Sequence, residues 1–259
     1  MAAHMQHYLA LLGIPFLRWS RSAGQSANQL RELIELSTHV LLLISDSAIE
    51  TFYQQNPSLK SKSCVHFSGA LVSPSIPSAH PLMTFSHPEQ NGYYDLATYQ
   101  KIPFVLEANR ASGEELLPGL INPIYFIPSE LKTHYHALCV MSGNFTTILW
   151  EKVFTDFEKI LGLPREILFP YLQQTTSNLE TSTQTKSVLT GPLVRGDQAT
   201  ILKHMKVLES DSFVEIYRSF VLNYIKTNNL DKKEMQDEVY LRFSKDEVGK
   251  SPNIDGHLL

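Results

Sequence analysis

Four polar side chains have the chemistry of proton transfer or substrate binding. His80, beside Pro81, carries an imidazole that titrates near neutral pH, as a proton donor or acceptor must. Ser68 could hydrogen-bond a carboxamide or a substrate, and Asn144 offers an amide on a helix. Arg195 could bind a carboxylate at two points. These four are the candidate catalytic residues, and a purely structural role is the alternative for each.

A second set of residues could bind a dinucleotide. In such domains an acidic residue after the second strand binds the ribose 2′-OH of NAD, whereas an Arg accommodates the 2′-phosphate of NADP. Ser20, Arg21 and Ser22 stand at this place, without an acidic residue nearby, so NADP is the expected cofactor. The alternative for Arg21 is an ordinary surface position.

The remaining candidates follow two apolar segments that are predicted to be strands. Ser45 and Asp46 come after one of them and could face a cofactor, since ligands lie at the carboxyl ends of parallel strands. A plain helix cap is the alternative for this pair. Gly69 follows the next strand and would let the backbone approach a ligand closely.

Other chemistries find no support in the motifs. No Gly-x-Ser-x-Gly turn is present, so serine nucleophile chemistry is not expected. The His pairs lack the spacing and the acidic partner of a catalytic zinc helix, and we predict no metal site. Cys64 and Cys139 lie in apolar runs, which favours buried small side chains over reactive thiols.

The composition indicates a globular protein. The 259 residues are 43% hydrophobic and 19% charged, and the net charge is −4. This excludes a disordered polyelectrolyte and gives no basic signal for nucleic acid. No apolar run approaches the roughly 18 residues of a membrane helix. The apolar N-terminal stretch lacks a preceding Lys or Arg, so we expect a cytoplasmic protein rather than a secreted one.

Residues 1–128 alternate between helical and extended patterns. Helices are predicted at 1–12, 26–37 and from about 48, and strands at 15–19, 38–44, 64–67, 81–85, 102–107 and 123–127. Several strands are continuously apolar, which is typical of a parallel sheet covered on both faces. The predicted fold class is therefore α/β, with a Rossmann-like nucleotide-binding domain at 1–128.

Residues 129–230 are predicted to form an all-helical domain. Apolar residues recur at helical spacing from 129 to 161, which predicts one very long helix, ended by Gly162 and Pro164. Further helices are expected at 165–178, 197–209 and 212–227. A helix of this length needs a larger partner surface, and a homodimer through these helices is the natural one. Residues 231–259 are predicted to be a polar, partly disordered tail.

The front of the chain departs from a dinucleotide-binding domain. It opens on a helix, and neither a preceding strand nor a G-x-G-x-x-G turn is present. One interpretation is that Met1 is an internal methionine of a longer protein, so that the chain is N-terminally truncated. The other is a degenerate gene product that has lost the turn.

Four segments in order carry a family resemblance: residues 66–71 (HFSGAL), 79–85 (AHPLMTF), 142–145 (SGNF) and 190–197 (TGPLVRGD). Together they resemble a bacterial family with a Rossmann-like domain and a C-terminal domain of unknown function, whose members are labelled NADP- or deazaflavin-dependent oxidoreductase-like. The family is similar in build to pyrroline-5-carboxylate reductase and prephenate dehydrogenase. The resemblance implies a substrate between the domains and a dimer through the helical domain.

The sequence therefore supports two functions. The first is an NADP-dependent oxidoreductase that acts on a small carboxylate-bearing metabolite, with Ser68, His80, Asn144 and Arg195 orienting and polarising the substrate. The cofactor would carry the chemistry. The alternative is a non-catalytic, dimeric binding or scaffold relative that has lost the nucleotide-binding turn.

Overall fold

The computed structural model describes residues 1–183 and 187–228, and the predicted polar tail lies outside this range. Contacts group the chain into two compact units, Met1–Pro164 and the residues from Arg165 onward. The predicted domain boundary at residue 128 stays a prediction. No helix of the described part of the chain is long and apolar enough to span a membrane.

The first unit is an α/β structure, as the sequence predicts. Its strands are β1 (His39–Leu42), β2 (Ser63–His66), β3 (Ala79–Pro81), β4 (Phe104–Glu107) and β5 (Ile124–Ile127). Its helices up to β5 are α1 (Ala2–Leu11), α2 (Ala27–Leu36), α3 (Asp46–Gln55), α4 (Pro88–Asn91), α5 (Leu96–Lys101) and α6 (Gly113–Leu116). Ser26 begins α2 with a capping box, because its hydroxyl accepts from Gln29 N–H and the Gln29 side chain accepts from Ser26 N–H.

The strands form two small sheets that meet at one point. β1 and β2 pair in parallel, with His39 opposite Ser63 and Leu42 opposite His66. β4 pairs in parallel with β5 and antiparallel with β3. A single parallel bridge from His66 to Ser78 joins the two sheets. The order along the layer is therefore β1-β2-β3-β4-β5, so β2 and β3 bring their polar neighbours to the centre.

The strand β3 differs from its prediction in place and direction. The expected strand at 81–85 is a three-residue strand at Ala79–Pro81, antiparallel to β4. Pro81 has no N–H to donate, so the ladder cannot continue through it as through a central strand. On its other side the segment meets β2 through the parallel bridge from His66 to Ser78, so its antiparallel pairing is with β4.

The predicted strand at 15–19 is wrong. These residues are irregular, and Arg21–Ala23 forms a short 3₁₀ turn. A strand exists only with a neighbour that accepts its ladder hydrogen bonds, and no described strand pairs with this segment. Local side chains bond it instead: Ser20 N–H donates to Gln25 Oε1 at 2.7 Å, and Trp19 Nε1–H donates to Ser26 O at 3.2 Å.

Two apolar clusters hold the first unit together. The larger packs α1 and α5 against β2 and β4, with Tyr8, Val65, Tyr99 and Leu106 nearly or fully buried. The smaller packs α2 and α3 against β1 and β2. Helices thus pack on both faces of the central strand β2, whereas the edge strand β5 keeps Tyr125 and Phe126 exposed.

The long helix is present but is not a uniform α-helix. It runs as α7 (Lys132–Cys139), a π-helical segment (Val140–Phe145) and α8 (Thr146–Lys159), after a 3₁₀ turn at Ser129–Leu131. Apolar periodicity predicts the helix but not the wider π turn, because one π segment shifts the side chains by only part of a turn. The π segment contains the predicted substrate residue Asn144.

The second unit is helical, as predicted. After a 3₁₀ turn at Arg165–Leu168 it contains α9 (Phe169–Glu180), α10 (Pro192–Arg195), α11 (Gln198–Val207) and α12 (Val214–Thr227). Its core joins α11 to α12 through Ile201, Met205, Val221 and Ile225. Asp197 caps α11, since its carboxylate accepts from Thr200 N–H at 3.1 Å.

Candidate functional site

Two predicted residues meet at the carboxyl ends of β1 and β2. Ser68 Oγ donates to Asp46 Oδ2 at 2.6 Å. The same hydroxyl accepts from Leu71 N–H at 2.9 Å, so it also shapes the turn after β2. Asp46 is the first residue of α3, and neither it nor Ser45 caps the helix with its side chain. Helix capping is the commoner role for residues in this position. In the structure, the Asp46 carboxylate instead accepts the hydrogen bond from Ser68.

Gly69 lies directly beneath two histidines. A Cβ atom built on Gly69 would come within 2.4 Å of His136 Cδ2 and 3.0 Å of His80 Nε2. The rings of His80 and His136 meet nearly edge-to-face, with centroids 5.8 Å apart. The backbone at Gly69 therefore makes the close approach that the sequence predicts. The groups that it approaches are the imidazole rings of His80 and His136.

Tyr135 joins this group, although sequence reasoning treated it only as an apolar position of the long helix. Its hydroxyl lies 2.7 Å from His80 Nδ1, in hydrogen-bond contact. Burial, reinforced by the neighbouring His136 and Lys132 side chains, lowers the pKa of His80 to about 4. Burial and the Cys139 side chain raise the pKa of Tyr135. The sequence signal for a role of Tyr135 is the run of polar residues around it, and this run does not indicate which side chain it contacts.

His66, at the end of β2, is a fully buried histidine. Ser68 N–H donates to its Nδ1 at 3.3 Å, and Nε2 has no hydrogen-bond partner in the described structure. Burial is the largest cause that lowers the pKa of His66 to about 4. The neutral ring is thus the folded form at neutral pH, and its position supports the turn that carries Ser68 and Gly69.

A buried charge cluster attaches the long helix to this turn. Lys132 Nζ donates to Ser78 Oγ at 2.6 Å and to the carbonyl of Leu71, and lies 3.8 Å from Glu107 Oε1. Arg110 Nη1 lies 3.4 Å from Glu107 Oε2, which also accepts from Ser78 N–H at 3.0 Å. Burial lowers the pKa of Lys132, opposed chiefly by Glu107. The cluster is nearly inaccessible and acts as a structural anchor.

Within the described part of the chain, none of the other predicted residues forms a hydrogen bond with this group. Ser20, Arg21 and Ser22 lie on the exposed 3₁₀ turn, where the two serine hydroxyls bond each other at 2.7 Å. Asn144 is exposed on the π segment. Arg195 is the exposed last residue of α10 in the second unit.

The residues present suit part of a nucleotide site. Arg21 is exposed and has no carboxylate partner in the described part of the chain, as a 2′-phosphate ligand requires. The N-terminus of α1 has no side-chain cap, which leaves its N–H groups available to an anion. Within residues 1–183 and 187–228, no cluster of three or more His, Cys, Asp or Glu side chains could hold a metal ion.

The fold defines the class of protein: a Rossmann-like α/β domain followed by helices. A protein from Bacteroides fragilis, provisionally described as an NADP oxidoreductase, has a similar fold, with a TM-score of 0.65 and 21% identity over 87% of this chain and 94% of its own. A protein from Thermotoga maritima matches with a TM-score of 0.57 and 23% identity over 79% and 90%. At 21% and 23% identity, these structural similarities establish the fold alone.

The sequence comparison matches part of the chain to a family. Residues 102–224 match the family described as "Domain of unknown function (DUF2520)". This match and the structural likenesses confirm the predicted resemblance to a Rossmann-like family with a C-terminal domain of unknown function. No curated protein matches the chain.

Proposed function

We propose that the protein is an NADP-dependent oxidoreductase that acts on a small carboxylate-bearing metabolite. The observation that carries the proposal is the meeting of Asp46, Ser68, Gly69 and His80 where the parallel strands β1 and β2 end. Open α/β sheets bind nucleotides at this edge. The description of the Bacteroides fragilis protein as an NADP oxidoreductase supports the same choice of cofactor.

The proposal gives the described residues distinct roles. Arg21, with Ser20 and Ser22, would hold the 2′-phosphate of NADP, and Ser45, Asp46 and Gly69 would border the nucleotide at the strand ends. Bound NADPH supplies a hydride. Ser68 and His80 would orient and polarise the substrate beside the nicotinamide. Asn144 would bind its polar groups. The role of Arg195, in the second unit, as a carboxylate ligand stays a prediction from the sequence.

NADPH and NADH titrations, followed by calorimetry, test the cofactor. We expect NADPH to bind more tightly than NADH, because Arg21 can pair only with the 2′-phosphate. Arg21→Ala should weaken NADPH binding by roughly tenfold and leave NADH binding unchanged. Arg31→Ala, an exposed arginine on α2, is the control. Absence of NADPH binding would leave the non-catalytic binding relative as the function.

We also propose a homodimer through the long helix. Phe145, Ile148 and Leu149 recur on this helix with side chains that are 57%, 49% and 38% exposed. Exposed apolar side chains at helical spacing are typical of a subunit interface. Sedimentation of the wild type should give twice the chain mass, and Phe145→Glu with Ile148→Glu should shift it to the monomer. A wild-type monomer at micromolar concentration would contradict the dimer.

A further inference from the structure

A groove runs beside the His80–Tyr135 pair. It has a volume of about 490 Å³ and lies between the end of β3 and the long helix. Its lining is mainly apolar and consists of Leu82, Tyr135, Leu138, Cys139, Met141 and Ser142. The Ser142 hydroxyl already donates to Leu138 O at 2.9 Å. Tyr135 is therefore the strongest hydrogen-bond donor of this lining, and its partner there is the Cys139 thiol, a weak acceptor.

The Tyr135 hydroxyl is held in place by His80. The two rings are nearly perpendicular, with centroids 5.5 Å apart, and Nδ1 contacts the hydroxyl at 2.7 Å. A phenol has one donor and two acceptor positions. If His80 carries its proton on Nδ1 and donates it to the phenol oxygen, the Tyr135 O–H is left for the weakly accepting Cys139 thiol or for a ligand carbonyl that replaces it.

The protonation states suit a proton donor. The low pKa of His80 keeps its ring neutral at pH 7, and the raised pKa of Tyr135 keeps the phenol protonated. The charged groups that act on His80 are His136 and Lys132, which oppose its protonation, and Asp46, which favours it. The pair is therefore neutral but polarised, in a partly dehydrated position where a hydrogen bond is strong.

We infer that Tyr135 is the proton donor of this site, and that its substrate places a C=O or C=N bond at the Tyr135 hydroxyl and an apolar substituent in the groove. This inference rests on the proposed function for the source of the hydride. It narrows the substrate to a metabolite with an apolar chain beside its reducible bond, because the described groove lining contains no charged side chain.

The proton step balances. Hydride forms a C–H bond at the carbon of the double bond, the π electrons move to the oxygen or nitrogen, and that atom takes the Tyr135 proton. The phenolate recovers a proton from His80 Nδ1, while Nε2 takes one from water. Exchange with water then restores the starting tautomer. The net change is the uptake of one hydride and one proton, and His80 acts as a positioning and relay residue.

A carbonyl compound that nicotinamides do not reduce tests the site without turnover. The probe is a γ-lactam with a linear butyl chain beside the ring nitrogen, titrated into the full chain with and without NADPH. We expect it to bind roughly tenfold more tightly than the same lactam with a hydroxylated chain of equal length, since the groove buries the chain. Tyr135→Phe should weaken binding about fivefold by removing one hydrogen bond.

A matched variant and a second measurement separate the outcomes. Tyr125→Phe, at an exposed tyrosine of β5 outside the groove lining, should leave lactam binding unchanged. Equal binding to wild type and Tyr135→Phe, or no binding of the alkyl lactam to the wild type, would overturn the inference. Failure of NADPH binding with normal lactam binding would instead overturn the proposed function alone.

Nitrogen NMR of labelled histidine reads the His80 tautomer directly. We expect the proton on Nδ1 in the wild type and a changed His80 signal in Tyr135→Phe, with no change in Tyr125→Phe. A proton on Nε2 would mean that Tyr135 donates to His80, which leaves no proton for a substrate and overturns the donor role. With an alkyl ketone or imine as substrate, turnover should fall about 100-fold or more in Tyr135→Phe at unchanged NADPH affinity.

Discussion

Two polar regions of the first unit lie on either side of the turn that follows β2, and they differ in access. The Glu107–Lys132 cluster is sealed from solvent, since the side chains of Glu107 and Lys132 are 0% and 3% exposed. The Lys132 ammonium group donates to a backbone carbonyl and to a serine hydroxyl. The His80–Tyr135 pair lies beside an open groove, and its phenol has bonding capacity left. Polar side chains therefore have different functions in the two regions. The buried, ion-paired groups hold the fold, whereas the accessible phenol can bind a ligand.

The largest expected effect is the removal of Lys132 from the sealed cluster. Lys132→Met should destabilise the protein by about 3–5 kcal/mol, because Glu107 is left with a buried charge that Arg110 alone must balance. Urea denaturation measures the change, with the exposed Lys101→Met as control. A loss below about 1 kcal/mol would mean that water reaches Glu107 and that the cluster is not sealed.

The buried histidines should make stability depend on pH. The folded-state pKa of His66 is about 4, against an ordinary value of 6.5, so the unfolded chain binds the proton first. The contribution of His66 to the free energy of unfolding should be fully present above pH 6.5. It should decline by roughly 3 kcal/mol as the pH falls towards 4.

Denaturation midpoints between pH 7.5 and 4.5 check this prediction. His66→Gln should flatten the decline by about one proton, and the exposed His87→Gln should not. An unchanged slope in His66→Gln would show that its ring is already protonated or solvated in the folded protein.

A substitution at Gly69 tests how tightly the turn after β2 packs against His80 and His136. Gly69→Ala places a Cβ within 2.4 Å of His136 and 3.0 Å of His80, so we expect a destabilisation of about 1–3 kcal/mol and a changed His80 NMR signal. Gly143→Ala is the control, since its Cβ would meet only Thr84 Cγ2 at 3.6 Å, an ordinary contact. If His136 swings away freely, the cost will approach zero.

The smallest effect is expected at the partly exposed Ser68–Asp46 hydrogen bond. Asp46→Ala should cost about 1 kcal/mol in thermal or urea unfolding, because one hydrogen bond is lost to a position that water can reach. Asp46→Asn retains an acceptor for the Ser68 hydroxyl and should cost less. An equal loss in both variants would show that the charge of Asp46, rather than its hydrogen bond, stabilises the turn.

Local patterns predict most of the elements, because each depends on neighbours in sequence. The capping serine of α2, the apolar strands β1, β2 and β4, and the long helix from residue 129 are all read from spacing and residue type. The strand predicted at 15–19 fails because its residue types suit a strand but no described strand pairs with it. The direction of β3 depends on the loops around it, which periodicity does not encode.

The candidate site divides in the same way. Ser68, Gly69 and Asp46 follow apolar strands, and strand ends carry ligand sites in sheets of this kind, so sequence alone could select them. Tyr135 could not be selected, because its partner His80 is 55 positions away and only their packing brings phenol and imidazole together.

The sequence by itself determined the alternation of helices and strands, the family resemblance and the strand-end residues, since these follow from local propensity and periodicity. Tertiary structure alone decided which of the many polar side chains are sealed and which remain accessible. Lys132 and Tyr135 lie three residues apart on one helix, yet one is buried against Glu107 and the other lines a groove. Burial and hydrogen-bond saturation depend on contacts between distant segments, and those contacts separate a structural lysine from a candidate catalytic tyrosine.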